Sequence, residues 1–86
     1  MSTKEKLLLK LLSGKADNNF DFNDLVTILE WLNFDERKTG RSHRIFFRKG
    51  INDIINIQPI GSKAKSYQVK QIRELILKYK LTDYDE

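Results

Sequence analysis

The sequence has no cysteine, one histidine and one proline among its 86 residues. Without cysteine the chain forms neither disulfides nor thiolate metal sites, a composition typical of the reducing cytosol. One histidine is too few for a zinc site built from histidines alone. The chain also lacks an apolar run of about 20 residues, the length that a membrane-spanning helix needs. These absences predict a cytoplasmic protein with no membrane segment and no metal.

Motifs of nucleotide and serine chemistry are missing as well, since the sequence contains neither GxxxxGK[ST] nor GxSxG. Most acidic residues fall in three groups, at 17–24, 35–36 and 83–86, and none supplies a convincing carboxylate cluster for a metal nuclease. We therefore expect no cofactor. A chain of this length forms one small domain that buries only about 60% of its unfolded surface. Any chemistry must take place in a shallow groove or on a sheet face.

The positive charge is concentrated in one part of the chain. The net charge is +4, but residues 37–80 carry twelve Lys and Arg against two acids, a net of +10. Residues 1–36 carry four lysines against seven acids, a net of −3. Such segregation is typical of a surface that binds a polyanion, most often nucleic acid. The alternative is a solvated surface that keeps a small protein soluble.

Hydrophobic periodicity predicts three helices. The first covers KEKLLLKLL and ends at Ser13 and Gly14, a glycine cap. The second covers DFNDLVTILEWLNF, with Asp21 as its N-cap and Asn33 at its end. The third covers YQVKQIRELILKYK, with Ser66 as its N-cap. Its basic residues lie mainly outside the buried stripe, namely Lys70, Arg73 and Lys78.

Between the second and third helices the pattern indicates three antiparallel strands, FDERKTG, SHRIFFR and IINIQPI, with turns at Thr39-Gly40 and at KGIND. Pro59 should lie at an edge or at a strand terminus because it has no N–H to donate. The segment GSKAKS is expected to be a loop. The predicted fold class is α+β, with helices on one face of a three-stranded antiparallel sheet. A basic α-β-β-β-α unit is the arrangement of double-stranded-RNA-binding domains.

His43 lies in the stretch TGRSHRIFFRKG, among arginines and lysines. Metal-free RNA cleavage, in which the 2′-OH attacks the adjacent phosphate, requires proton transfer and stabilisation of negative charge. Histidine ordinarily titrates near pH 6.5 and suits the first task, and arginine and lysine suit the second. A lone histidine in a strand is, however, more often a packing or edge residue.

The strand period leaves the direction of His43 open. His43 shares one face with Ile45 and Phe47, while Arg44 and Phe46 share the other. Counting apolar residues turns Ile45 and Phe47 to the core and His43 partly inward. If Phe46 is the core residue instead, His43 faces outward.

The segment GSKAKS is a second candidate site. Gly61 allows the backbone to approach a ligand closely. Lys63 and Lys65 precede the last helix, whose N-terminal amides can receive a phosphate. A flexible, soluble connector is the equally weighted alternative.

From about residue 21 to residue 81 the sequence resembles the HicA-type toxins of bacterial toxin–antitoxin pairs. The resemblance comprises a helix ending in LEWLNF, a Ser-His-x-x-Phe element at residues 42–46, the strand IINIQP, the loop GSKAK and the helix SYQVKQIRELILKYKL. The family usually has glycine directly before the Ser-His pair, where this chain has Arg41. Residues 1–18 lie outside the resemblance and are interpreted as a helical extension, residues 19–82 as the HicA-like domain and residues 83–86 as an acidic tail.

The resemblance implies a double-stranded-RNA-binding-like fold and a type II toxin that cleaves mRNA without a metal. It implies His43 as the catalytic general acid or base, with Phe46 inward and His43 outward. Phosphates would be held by Arg44, Lys63 and Lys65, with help from Arg41, while Ser42 orients His43 or the phosphate. The implied partners are RNA and a HicB-type antitoxin.

Two alternatives remain at this point. A non-catalytic RNA-binding module would use the same cations and a solvent-facing phenylalanine. A protein-interaction domain that docks through the first helix would leave the net charge of +10 over residues 37–80 unexplained.

Overall fold

A computed structural model describes residues 3–38 and 43–81. It contains three α-helices, α1 (Thr3–Ser13), α2 (Phe22–Trp31) and α3 (Ser66–Lys78). Its longer strands form an antiparallel sheet in the order β1-β2-β3, with bounds β1 (Asp35–Lys38), β2 (Arg44–Arg48) and β3 (Ile51–Ile57). The predicted α+β class and three-stranded sheet are confirmed. The turn predicted at Thr39-Gly40 and the acidic tail predicted at 83–86 lie outside the described residues.

The ends of the helices follow local chemistry. The Oδ1 atom of Asp21 accepts hydrogen bonds from the backbone N–H groups of Asn23, at 2.8 Å, and Asp24, at 3.2 Å, so the predicted N-cap of α2 is confirmed. Asn33, at φ 68°, takes the left-handed conformation that ends this helix. The N-cap predicted for α3 is wrong. Lys65 holds that position without a side-chain capping bond, and Ser66 is the first helical residue.

The turn between β2 and β3 is shorter than predicted, since Lys49 and Gly50 alone make it and Ile51 already belongs to β3. Gly50, at φ 90°, supplies the positive φ that the tight turn requires. The pairing of β2 with β3 then shifts register between Phe46 and Arg48.

The prediction that GSKAKS is a loop is wrong, because this segment contributes to a hairpin of two short strands, β4 (Pro59–Ile60) and β5 (Lys63–Ala64). The hairpin is fastened to the start of α2. The N–H of Phe22 donates to the carbonyl of Ser62 at 3.0 Å, and the N–H of Ala64 donates to the carbonyl of Phe20 at 2.8 Å. These bonds connect positions some forty residues apart, so local sequence gives no sign of them.

One hydrophobic core joins all three helices to the sheet. The sheet contributes Phe46, Ile55 and Ile57, each fully buried. Helix α1 contributes Leu8 and Leu11, so the segment interpreted above as an extension packs into the same core as the rest.

Arg73, predicted to lie mainly outside the buried stripe of α3, connects this helix to the N-terminal segment. Its guanidinium donates two hydrogen bonds to the carboxylate of Asp17, at 2.8 and 2.9 Å, and a third to the carbonyl of Leu11, at 3.2 Å. Donating these hydrogen bonds to Asp17 raises the pKa of Arg73 above its ordinary value. The side chains of Arg73 and Asp17 are 17% and 20% exposed, so this pair lies at the border of the core.

The opposite side of the sheet is open to solvent. Because Phe46 points into the core, strand alternation turns Ile45 and Phe47 outward, where both are half-buried. Neighbouring strands add the exposed residues Arg37 and Asn56. We call this surface the open face: Arg37, Ile45, Phe47 and Asn56. No helix within residues 3–38 or 43–81 has the length and apolar character to cross a membrane.

Adjacent phenylalanines allow a direct test of this assignment. Phe46→Ala should lower the free energy of unfolding by about 3–5 kcal/mol, since it empties a fully buried site. Phe47→Ala should cost less than half as much, because Phe47 is half-buried on the open face. Urea denaturation of both variants measures the difference. Equal losses would contradict the assigned direction of β2.

Candidate nucleic-acid interface

His43 is exposed and immediately precedes β2. The resemblance implied that Phe46 points inward and His43 outward, and the structure agrees in that Phe46 is fully buried and His43 exposed. The register pairs Arg44 with Ile57, which places the backbone of His43 level with Gln58 at one end of the sheet. Arg41 and Ser42, two of the predicted site residues, lie outside the described residues.

Lys65 lies at the same end of the sheet. Its Nζ donates a hydrogen bond to Oε1 of Gln58 at 3.2 Å. The ammonium also lies 6.0 Å from the ring centroid of Tyr67, a side chain that is 62% exposed. The N-cap of α3 therefore brings a cation and an exposed aromatic ring to the end of the sheet that carries His43.

Lys63 reaches this end through the hairpin. It is exposed and its backbone pairs with Asp21, directly before α2. Next to it, Phe22 bonds to Ser62, and the guanidinium carbon of Arg44 lies 5.8 Å from the ring centroid of Phe22. Contacts thus connect the hairpin, the start of α2 and the start of β2. We call the resulting group the basic end: His43, Arg44, Gln58, Lys63 and Lys65.

Arg44 differs from the other cations of the basic end. Its Nε and Nη2 atoms donate to the carboxylate of Glu36 at 2.5 and 2.7 Å, and the two side chains are 31% and 13% exposed. Hydrogen bonding to Glu36 raises the pKa of Arg44, although burial acts in the opposite direction. Arg44 shares the core side of β2 with Phe46, opposite the face of His43. Its charge therefore holds β1 to β2, and the phosphate contact expected of it receives no support from this geometry.

A buried amide fixes the last part of β3. Gln68 of α3 is only 5% exposed, and its Nε2 donates to the carbonyl of Asn56 at 3.2 Å while its Oε1 accepts from the N–H of Gln58 at 3.1 Å. The side chain thus bonds to the strand backbone as a neighbouring strand would. Sequence reasoning missed Gln68, because a glutamine in the first turn of a helix gives no sign of burial.

Sequence reasoning offered a solvent-facing phenylalanine as a possible ligand contact, but it neither identified that residue as Phe47 nor found Arg37 beside it. Register pairs Arg37 with Ile45 and Asp35 with Phe47, so Arg37 lies diagonally across from Phe47 on the open face. The guanidinium carbon of Arg37 is 5.6 Å from the ring centroid of Phe47. Finding this pair required the register of β1 against β2, which the sequence alone does not reveal.

The side chains of the basic end suit proton transfer and phosphate binding. It offers one exposed imidazole with two lysines at the same end of the sheet. Within the described ranges, no three His, Asp or Glu side chains converge as a metal site would require. No family model, curated protein or solved structure matches the chain. Function must therefore be inferred from the residues themselves and from the resemblance given above.

Arg44→Gln should destabilise the fold. It removes two charge-assisted hydrogen bonds and leaves the largely buried carboxylate of Glu36 without this partner, and bonds to charged groups contribute about 1.5–3 kcal/mol. Lys49→Gln removes the same charge at an exposed turn position and should change the unfolding free energy by less than about 0.5 kcal/mol. Thermal and urea unfolding at neutral pH provide the comparison. If both variants are equally stable, Arg44 does not hold β1 to β2.

Proposed function

We propose that this chain is a metal-independent endoribonuclease that cleaves mRNA, with His43 as the general acid or base, and that it is the toxin of a type II toxin–antitoxin system. The observation that carries the proposal is the position of exposed His43 at the same end of the sheet as Lys63 and Lys65. The segment 37–80, with its net charge of +10, supplies the electrostatic attraction to RNA. The resemblance of residues 21–81 to the HicA-type toxins supports the same function.

The chemistry requires few protein groups. The RNA 2′-oxygen forms a new bond to phosphorus as the bond from phosphorus to the 5′-oxygen breaks, and the 2′-OH proton leaves while the 5′-oxygen gains one. His43 performs at least one of these two proton transfers, and water can complete the other. Lys63 and Lys65 neutralise the extra negative charge that develops on the phosphate oxygens. Ser42 and Arg41 assist, by orienting His43 or the phosphate and by adding charge.

The order of elements supports a double-stranded-RNA-binding-like fold for the part from α2 to α3. A helix, three antiparallel strands and a helix follow one another, with the β4–β5 hairpin inserted before the last helix. In the proposed complex, a HicB-type antitoxin presents carboxylates to the basic end and competes there with RNA. Complementary charge would speed that association.

A non-catalytic RNA-binding module is the second candidate function. The observation that favours it is the Arg37–Phe47 pair on the open face, which offers binding groups without chemistry. Both functions predict RNA binding, and they differ in whether His43 is needed for cleavage.

His43→Ala should abolish most cleavage of single-stranded RNA in the presence of EDTA. A general acid or base contributes about 10²–10⁴-fold to a rate, so the loss should be plain in a gel assay with end-labelled RNA. RNA affinity and melting temperature should stay close to those of the unmodified protein, because the side chain is exposed. Cleavage by the variant at the original rate would rule out the catalytic assignment. Binding without cleavage by the unmodified protein would favour the RNA-binding module.

Replacing Lys63 and Lys65 together by Gln should weaken binding to RNA of any sequence. Each lost phosphate contact lowers the slope of log affinity against log salt by about 0.7 on single strands, so the double variant should lose about 1.4. Lys4→Gln with Lys6→Gln is the matched control, since it removes two exposed lysines from α1. The measurement is a salt titration followed by fluorescence anisotropy. Equal slopes for the two double variants would show that the hairpin does not touch the RNA backbone.

A further inference from the structure

We propose that the open face binds single-stranded RNA by stacking a base on Phe47, with Arg37 as the second contact to the same nucleotide. The proposal deepens the proposed function and rests on it only for the ligand, RNA. It does not depend on cleavage by His43. The juxtaposition that carries it is an outward aromatic ring, a cation beside that ring and an exposed imidazole directly before the same strand.

Phe47 is not needed for the core. The core side of β2 is filled by Phe46, which is fully buried. Among the described residues, the partly buried hydrophobic side chains that pack against the core do not include Phe47 or Ile45. The Phe47 ring therefore contributes apolar surface on the solvent side of the sheet, where a flat apolar ligand can cover it.

The guanidinium of Arg37 indicates what kind of ligand the Phe47 ring would bind. Its side chain is exposed, and its guanidinium carbon lies 5.6 Å from the centroid of the Phe47 ring. An aromatic ring beside a guanidinium is a surface on which nucleobases stack, and the cation also attracts the phosphate of the same nucleotide. Asp35, paired with Phe47 across the strands, is exposed as well and reduces the local positive charge. Stacking, more than charge, should therefore dominate binding at this position.

The distance between His43 and Phe47 relates the stacked base to the phosphate that would be cleaved. His43 directly precedes β2 and Phe47 follows it by four residues, which is about 13 Å of extended chain at about 3.3 Å per residue. The base that stacks on Phe47 therefore belongs to a different nucleotide of the RNA from the one whose phosphate lies at His43. Phe47 would set which phosphate reaches the imidazole. Bases in a duplex have their faces covered by neighbouring bases, so this contact selects single strands.

The experiment uses the whole chain and a single-stranded RNA that carries 2-aminopurine, a fluorescent adenine analogue whose emission falls when it stacks. The unmodified protein should quench the emission on binding. Phe47→Leu keeps an apolar side chain at this half-buried position but removes the aromatic ring. We expect it to bind at least about fivefold more weakly and to lose the quenching, since one stacked base contributes about 1–3 kcal/mol. Phe47→Tyr should restore both.

Controls separate stacking from general effects. Leu77→Ala removes an apolar side chain that is 60% exposed on α3 and should change neither affinity nor quenching. Circular dichroism of each variant should show the same fold. A duplex of the same sequence should bind with an affinity that Phe47→Leu leaves unchanged.

The outcomes distinguish this proposal from the proposed function. If the unmodified protein binds single-stranded RNA but Phe47→Leu binds equally well with equal quenching, the stacking contact is wrong while the nuclease proposal stands. If His43→Ala has no effect on cleavage but Phe47→Leu abolishes quenching, the catalytic role fails and the stacking contact stands. If the unmodified protein binds no RNA, both are wrong.

Discussion

The direction of Phe46 determines what β2 presents to solvent. Side chains alternate across a strand, so burying one fixes the side on which every other residue lies. With Phe46 in the core, Ile45 and Phe47 turn outward together with His43, and Arg44 turns toward the helices. A shift of one residue would exchange these two sets, placing the imidazole against the core and Arg44 on the open face.

The same alternation divides the cations into two kinds. Arg44 and Arg73 each form a bidentate ion pair with a carboxylate. The Arg44–Glu36 pair connects β2 to β1, and the Arg73–Asp17 pair connects α3 to the N-terminal segment. Arg37 and Lys63, by contrast, are exposed. The high net charge of the chain therefore overstates the charge that a ligand meets.

Several features set by neighbouring residues were predictable from the sequence, although the N-cap of α3 was not, and features set by distant residues were not predictable. The cap of α2 at Asp21 and its end at Asn33 depend on side chains and φ values within a few positions. The β4–β5 hairpin depends on bonds to Phe20 and Phe22, and Arg73 depends on Asp17. Counting apolar residues along β2 favoured the wrong face, because Ile45 and Phe47 outnumber Phe46 although Phe46 is the buried residue. The family resemblance favoured the correct face, but the roles given to His43, Lys63 and Lys65 stay predictions.

The buried amide of Gln68 has a consequence for self-association. β3 is an outer strand of the sheet, and an outer strand with free backbone groups is a template on which another chain can add a strand. Gln68 occupies the carbonyl of Asn56 and the N–H of Gln58, and the register shift distorts the part of the strand before them. A helix side chain thus takes the place of a further strand. The molecule thereby blocks the last part of this edge against intermolecular pairing, next to the open face.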